Sequence, residues 1–164
     1  MPELATNSPA PGPFTIYRNA NLGLVMRYPT AWQKNEEVTP IAFAVVFFAP
    51  MEGPASPFRE NVLFTIQPLL VPLGLDEYVQ FGLRDSQGRF QIVSSNPATL
   101  ANIPARLLTY TGSLNPQFQL PGKISTFFAV RDTRAYMFSY TARTQRFDYH
   151  LPFVEQMVAS LDIL

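Results

Sequence analysis

One histidine, His150, and no cysteine set the chemistry open to this chain. A serine-type triad would have to use His150 as its base, yet no Gly-x-Ser-x-Gly turn presents a nucleophile to it. The lack of cysteine removes thiolate catalysis, disulfides, iron–sulfur clusters and thiol-rich zinc sites together. A zinc site would have to combine His150 with carboxylates such as Asp148 and Glu155, a weak donor set without motif spacing. His150 therefore reads as a surface residue at the start of a helix, and no metal or cofactor is expected. The other carboxylates are scattered: Glu36 and Glu37 in a polar loop, Asp76 and Glu77 in a first helical turn where the helix dipole favours anions. The glycines stand apart at turns and form no phosphate-binding loop. Residue types alone do not say what the protein does; they show no catalytic set, and the expectation is a protein that is not an enzyme.

The one cluster of charge is Arg131, Arg134, Arg143 and Arg146. Arginine presents a rigid, always-charged fork suited to carboxylates at an interface, so docking onto an acidic protein surface is the functional reading. The plainer reading is solvated strand ends. Twelve basic and twelve acidic residues cancel, which disfavours a nucleic-acid partner. No run approaches the ~18 apolar residues of a membrane span, and no signal-peptide pattern opens the chain. Contact with a membrane would therefore be peripheral at most.

The element that must position these residues is Lys123 to Arg146, which reads as a β-hairpin. With Arg131 opposite Arg134 across Asp132-Thr133, one face carries Phe127, Ala129, Tyr136, Phe138 and Tyr140. The other carries Ile124, Phe128, Val130, Ala135 and Met137. Apolar residues on both faces of a strand pair require cover on both. This register also splits the arginines, with Arg131 and Arg134 at the tip and Arg143 and Arg146 at the opposite end.

At 164 residues, 47% hydrophobic, the expectation is a 1–13 flexible linker followed by a single domain over 14–164. Phe14 to Arg18 and Leu24 to Tyr28 form a first hairpin, and Trp32 after Pro29 should be buried. Lys34 to Thr39 reads as a polar loop, Ile41 to Ala49 as a buried strand, and Asn61 to Gln67 as an alternating strand. Leu75 to Gln87 has helical period, with Gly88 placed to cap it. Phe90 to Ser95 reads as a strand turned by Asn96-Pro97, and Ala105 to Gly112 as another. Asp148 can cap a last helix with Pro152 in its first turn. Two helices and roughly eight strands without regular alternation predict an α+β fold, a mainly antiparallel sheet flanked by helices on both faces. The aromatic residues, 13% of the chain, alternate within strands and fit a core.

Several short motifs, taken in order, resemble the PsbP-like family. They are Tyr17-x-Asn19, Gly23 and Tyr28-Pro29-x-x-Trp32, then Arg59-Glu60-Asn61-Val62 and Leu75-Asp76-Glu77-Tyr78. Ile103-Pro104-Ala105, Ala135-Tyr136 and Ser160-Leu161 complete the set. The resemblance spans Phe14 to Leu164 and implies a PsbP-like sandwich, a fold shared with a yeast nuclear-import factor. Photosynthetic members of the family are extrinsic lumenal subunits or assembly factors of photosystem II. It thus implies a cyanobacterial protein-interaction module in the thylakoid lumen or a periplasm, with photosystem II subunits as partners. The family's histidine metal sites do not carry over. The alternatives are a small-ligand-binding or enzymatic domain with a pocket between sheet and helix, or a regulatory domain cut from a larger protein.

Overall fold

The computed structural model describes residues 12–38, 42–84 and 88–164. In chain order the elements are β1 (Phe14–Asn19), β2 (Leu24–Pro29), β3 (Gln33–Val38), β4 (Phe43–Phe48), β5 (Asn61–Pro68) and α1 (Leu75–Leu83). There follow β6 (Phe90–Leu100), β7 (Ile103–Ser113), β8 (Pro121–Arg131), β9 (Arg134–Arg143), α2 (Thr144–Ser160) and β10 (Asp162–Ile163). Residues 1–11 of the expected linker lie outside the described residues.

The fold is α+β. A seven-stranded sheet runs β3-β4-β5-β9-β8-β7-β6, and a three-stranded sheet runs β1-β2-β10. All the recorded pairings are antiparallel. The hairpin β8–β9 pairs Arg131 with Arg134 and Phe127 with Phe138, the predicted register, and β9 is the central strand of the large sheet. Asp132 takes the left-handed backbone at its tip, φ 56°.

Cover is present on both faces. One core gathers Ala129, Tyr136, Phe138 and Tyr140 with Phe153, Val154 and Met157 of α2 and Leu24 and Met26 of β2. The opposite face packs Phe128 and Ala135 against Tyr78 and Val79 of α1. Gly82 lets α1 approach closely, since a Cβ there would stand 2.7 Å from the Phe128 ring. Trp32 is buried as expected.

Several local expectations are corrected by tertiary structure. The polar stretch after Trp32 is not a loop but β3, an edge strand exposed along its whole length. It carries Lys34, Glu36 and Glu37, and charge is how exposed edges avoid pairing with other chains. Its neighbour β4 begins at Phe43, and Ile41 falls outside the described residues.

Helix α1 ends at Leu83 with Arg84 in the C-cap position, so Gly88 does not cap it. The end expected for that helix, residues 85–87, lies outside the described residues.

Strand β6 runs through Asn96-Pro97, which do not turn it, and ends at Leu100. Pro97 is tolerated because β6 is the other edge of the sheet, where a missing N–H need not break the ladder. The turn is instead Ala101-Asn102, both at positive φ, 51° and 65°. That pattern suits a two-residue hairpin loop because its twist matches the strands.

Helix α2 begins at Thr144, directly after β9, so Asp148 is not its cap and Pro152 lies well inside it. Both residues are exposed, and the Asp148 carbonyl that Pro152 leaves without its helical partner can turn to water.

Alanine at positive φ costs roughly 1–2 kcal/mol, part of which glycine forfeits through greater freedom in the unfolded chain. Ala101→Gly should therefore raise stability by about 0.5–1 kcal/mol, read as a higher urea midpoint with an unchanged slope. A lower midpoint would count against the turn at Ala101-Asn102.

Candidate functional site

The corner between β9 and α2 has no loop, and a buried ion pair holds it. Arg143 is the last residue of β9 and the N-cap of α2, yet it is only 4% exposed. Its Nε and Nη2 donate to the two oxygens of Glu60 at 3.0 and 2.9 Å, and its backbone N–H donates to Glu60 Oε2 at 3.1 Å. Glu60 is 3% exposed, at the entry to β5. Its carboxylate acts on the N-cap N–H as a capping-box glutamate would, but from a distant strand. Negative charge at a helix N-terminus is also favoured by the dipole.

Burial by itself would raise the Glu60 pKa, but its hydrogen bonds to Arg143 overcome that and hold it below the usual carboxylate range. The same bonds push Arg143 further up.

Glu52 extends the pair into a network. Its Oε2 lies 2.9 Å from Arg143 Nη2 and 3.9 Å from Arg146 Nε. The Arg146 guanidinium stacks on Tyr149, 3.8 Å from the ring centre.

One turn further along α2, His150 is buried, 3% exposed, and not at the surface as expected. It stands one turn before Val154 and two before Met157, so helical period puts it on the buried face of α2. Its ring meets Trp32 edge-on at 5.7 Å and Tyr149 at 4.9 Å. Neither nitrogen finds a hydrogen-bond partner among the described residues. Burial lowers its pKa to about 4, with Arg146 and Arg143 adding to the shift and Glu60 and Glu52 opposing it. The imidazole is therefore neutral at pH 7.

These residues border a cleft of about 660 Å³, with Trp32, Met51, Glu52, Arg146, Tyr149, His150 and Phe153 among its lining. A second, smaller cavity of about 260 Å³ lies between the sheet and α2. It is mostly apolar, with Phe127, Phe138, Leu151 and Val158 in its walls. Among the described residues no group of three or more His, Asp or Glu is placed to hold a metal, and no helix is long and apolar enough to cross a membrane.

The four arginines part company. Arg131 and Arg134 are exposed, directly opposed at the hairpin tip, and make no ion pair among the described residues. Arg143 is not a solvated strand end, because its charge is consumed by Glu60 and Glu52. Arg146 is half-buried in the wall of the cleft.

Residue types alone did not single out Glu60, Glu52 or the cleft. Glu60 stood only as one letter of a resemblance motif. The usable signal was Arg143 itself, placed where a strand ends and a helix with no acidic first turn begins.

This is a PsbP-like fold: an antiparallel sheet with helical cover on both faces. No family model and no curated protein matches the sequence. Among solved structures, the chain is similar to cyanobacterial PsbP (CyanoP) from Synechocystis, at 15% identity and TM-score 0.61, over 95% of both chains. It is also similar to LpqN of Mycobacterium tuberculosis, a protein involved in cell envelope biogenesis. There the identity is 15% and the TM-score 0.61, over 94% of this chain and 86% of that one. A third is PA94 of Pseudomonas aeruginosa, of unknown function, at 19% identity and TM-score 0.54, over 88% and 93% of the two chains. At identities this low, the likeness shows a shared fold alone.

Two predictions follow from the corner. Removing one member of a buried pair leaves an uncompensated charge, so Glu60→Ala should destabilise the domain by about 3–5 kcal/mol in urea denaturation. A loss below about 1 kcal/mol would mean that Arg143 finds other partners.

The second concerns His150. The unfolded chain takes up a proton near pH 6.5 that the folded state refuses until about pH 4. Stability is therefore full above pH 6.5 and falls as pH drops through this window, by about 3 kcal/mol in all. Urea midpoints from pH 7 to 4.5 should show this slope in the wild type and lose it in His150→Gln, since the chain has no other histidine.

Proposed function

We propose that the chain is a non-enzymatic protein-interaction module that works outside the cytoplasm, as an accessory or assembly factor of photosystem II. The observation that carries this is the end-to-end likeness to a cyanobacterial PsbP, with 95% of each chain covered. The likeness to LpqN, a protein involved in cell envelope biogenesis, supports action outside the cytoplasm in a lumen or periplasm.

The docking contact is the hairpin tip. Two like charges directly opposed on adjacent strands cost a little stability, and Arg131 and Arg134 bear that cost with only Asp132 beside them. Both project from the end of the central hairpin, where a carboxylate-bearing partner can reach their forks.

Co-sedimentation with isolated photosystem II membranes tests both parts. The wild type should bind at low salt and weaken at moderate salt, as exposed charge is screened. Arg131→Glu with Arg134→Glu should weaken low-salt binding by about tenfold or more. Unchanged binding by the folded double variant removes the tip, and no binding by the wild type removes photosystem II as the partner.

A further inference from the structure

The polar atoms around His150 do not balance, and the imbalance specifies an occupant for the cleft. A neutral imidazole carries one donor and one acceptor. Here both nitrogens lack partners although the residue is 97% removed from solvent, with 3% exposure. Arg146 Nε, in the same wall, is a further buried donor without a hydrogen bond among the described residues. Buried polar atoms in native proteins are satisfied with few exceptions. Both residues line one cleft, so a group that enters it is the partner at hand for these three atoms.

The walls define the rest of the occupant. Trp32, Tyr149 and Phe153 supply aromatic surface, and Met51 with Pro13, Pro29 and Pro50 supplies aliphatic surface. About 660 Å³ falls within the range of small-molecule sites, roughly 300–1,000 Å³.

Formal charge is already matched. Glu60 and Glu52 offset Arg143 and Arg146, with Glu52 bridging the two guanidinium groups. An anionic ligand would meet the Glu52 carboxylate, and a cationic one would meet Arg146. The imidazole adds no charge of its own at neutral pH.

We propose that this cleft binds a small, uncharged, planar molecule carrying a carbonyl beside an N–H, that is, an aromatic amide or lactam. The carbonyl accepts from Arg146 Nε. The adjacent N–H donates to the bare imidazole nitrogen, and the ring lies against Trp32 and Tyr149. The site is separate from the arginine tip and does not depend on which protein the module meets.

Trp32 is the only tryptophan and lines the cleft, so its fluorescence reports occupancy directly. Three probes of nearly equal size separate the alternatives: benzamide, benzoate and benzylamine. On the intact protein at pH 7, benzamide should shift the emission saturably, with a Kd of about 1 mM, ordinary for a fragment. Benzoate and benzylamine should bind at least about tenfold more weakly.

His150→Phe fills the space without the polar atoms and should weaken benzamide by about tenfold or more. Arg146→Met, on the more exposed side of the wall, gives a second variant, expected to weaken benzamide while leaving the fold intact by circular dichroism. No saturable shift with benzamide, or binding of benzoate or benzylamine as tight as benzamide, overturns the proposal on the wild type alone. Equal affinity in both folded variants also overturns it.

Discussion

The Arg143–Glu60 pair is the constraint on which the arrangement of this domain rests. It sits where the central strand of the large sheet becomes the long helix without an intervening residue. Three hydrogen bonds to one carboxylate determine how the chain leaves β9. Taking two charges out of water is costly, and a buried pair is weak evidence of net stabilisation. What it supplies is direction. The two groups form a planar, bidentate match whose geometry tolerates little rotation, so the first turn of α2 is held against the start of β5.

The rest of the α2 face follows from that start. Phe147 stacks at 4.7 Å on Tyr140, whose hydroxyl donates to the Phe147 carbonyl at 2.7 Å. Further along, His150 and Phe153 meet Trp32, and Val154 and Met157 enter the core shared with β2. At the far end Ser160 accepts from the Arg27 backbone N–H at 2.8 Å. The helix is thus tied at both ends to different sheets. This clamps the small sheet onto the large one and accounts for a helix that persists through Pro152. The cleft is what remains between the first half of α2, the segment from Pro29 to Trp32 and the loop carrying Met51 and Glu52.

The same corner connects stability to the candidate site. Glu52 serves both arginines, so the network that holds the helix also sets the field around His150. Burial makes that imidazole neutral, and the two guanidinium groups reinforce it against the two carboxylates. A neutral histidine among paired charges favours recognition by hydrogen bonding over recognition by charge. The tip of the β8–β9 hairpin, at the other end of the same strands, has the opposite character, with uncompensated charge in water.

Much of the scaffold was legible in the sequence because it is local. The β8–β9 register follows from alternating apolar residues on either side of a two-residue turn, and the structure has it residue for residue. The faces of α1 and α2 follow from helical period, and the burial of Trp32 from the turn ahead of it. The α+β class follows from the order of these elements. What failed depended on neighbours distant in the chain. β3 is polar but for Val38 and exposed throughout, and is a strand only because β4 offers it a ladder. Pro97 sits within a strand because β6 is an edge, a position that no local pattern reveals. α2 begins at Thr144 because Glu60, 83 residues away, supplies the cap that its own first turn lacks. His150, expected at the surface, shares the buried face with Val154 and Met157 and stands in the wall of a cleft beside Trp32. Local periodicity thus determined most of the strands, the period of the two helices and the exposed arginine tip. Tertiary contact alone decided where α2 starts, which polar atoms are buried and which residues border the cleft.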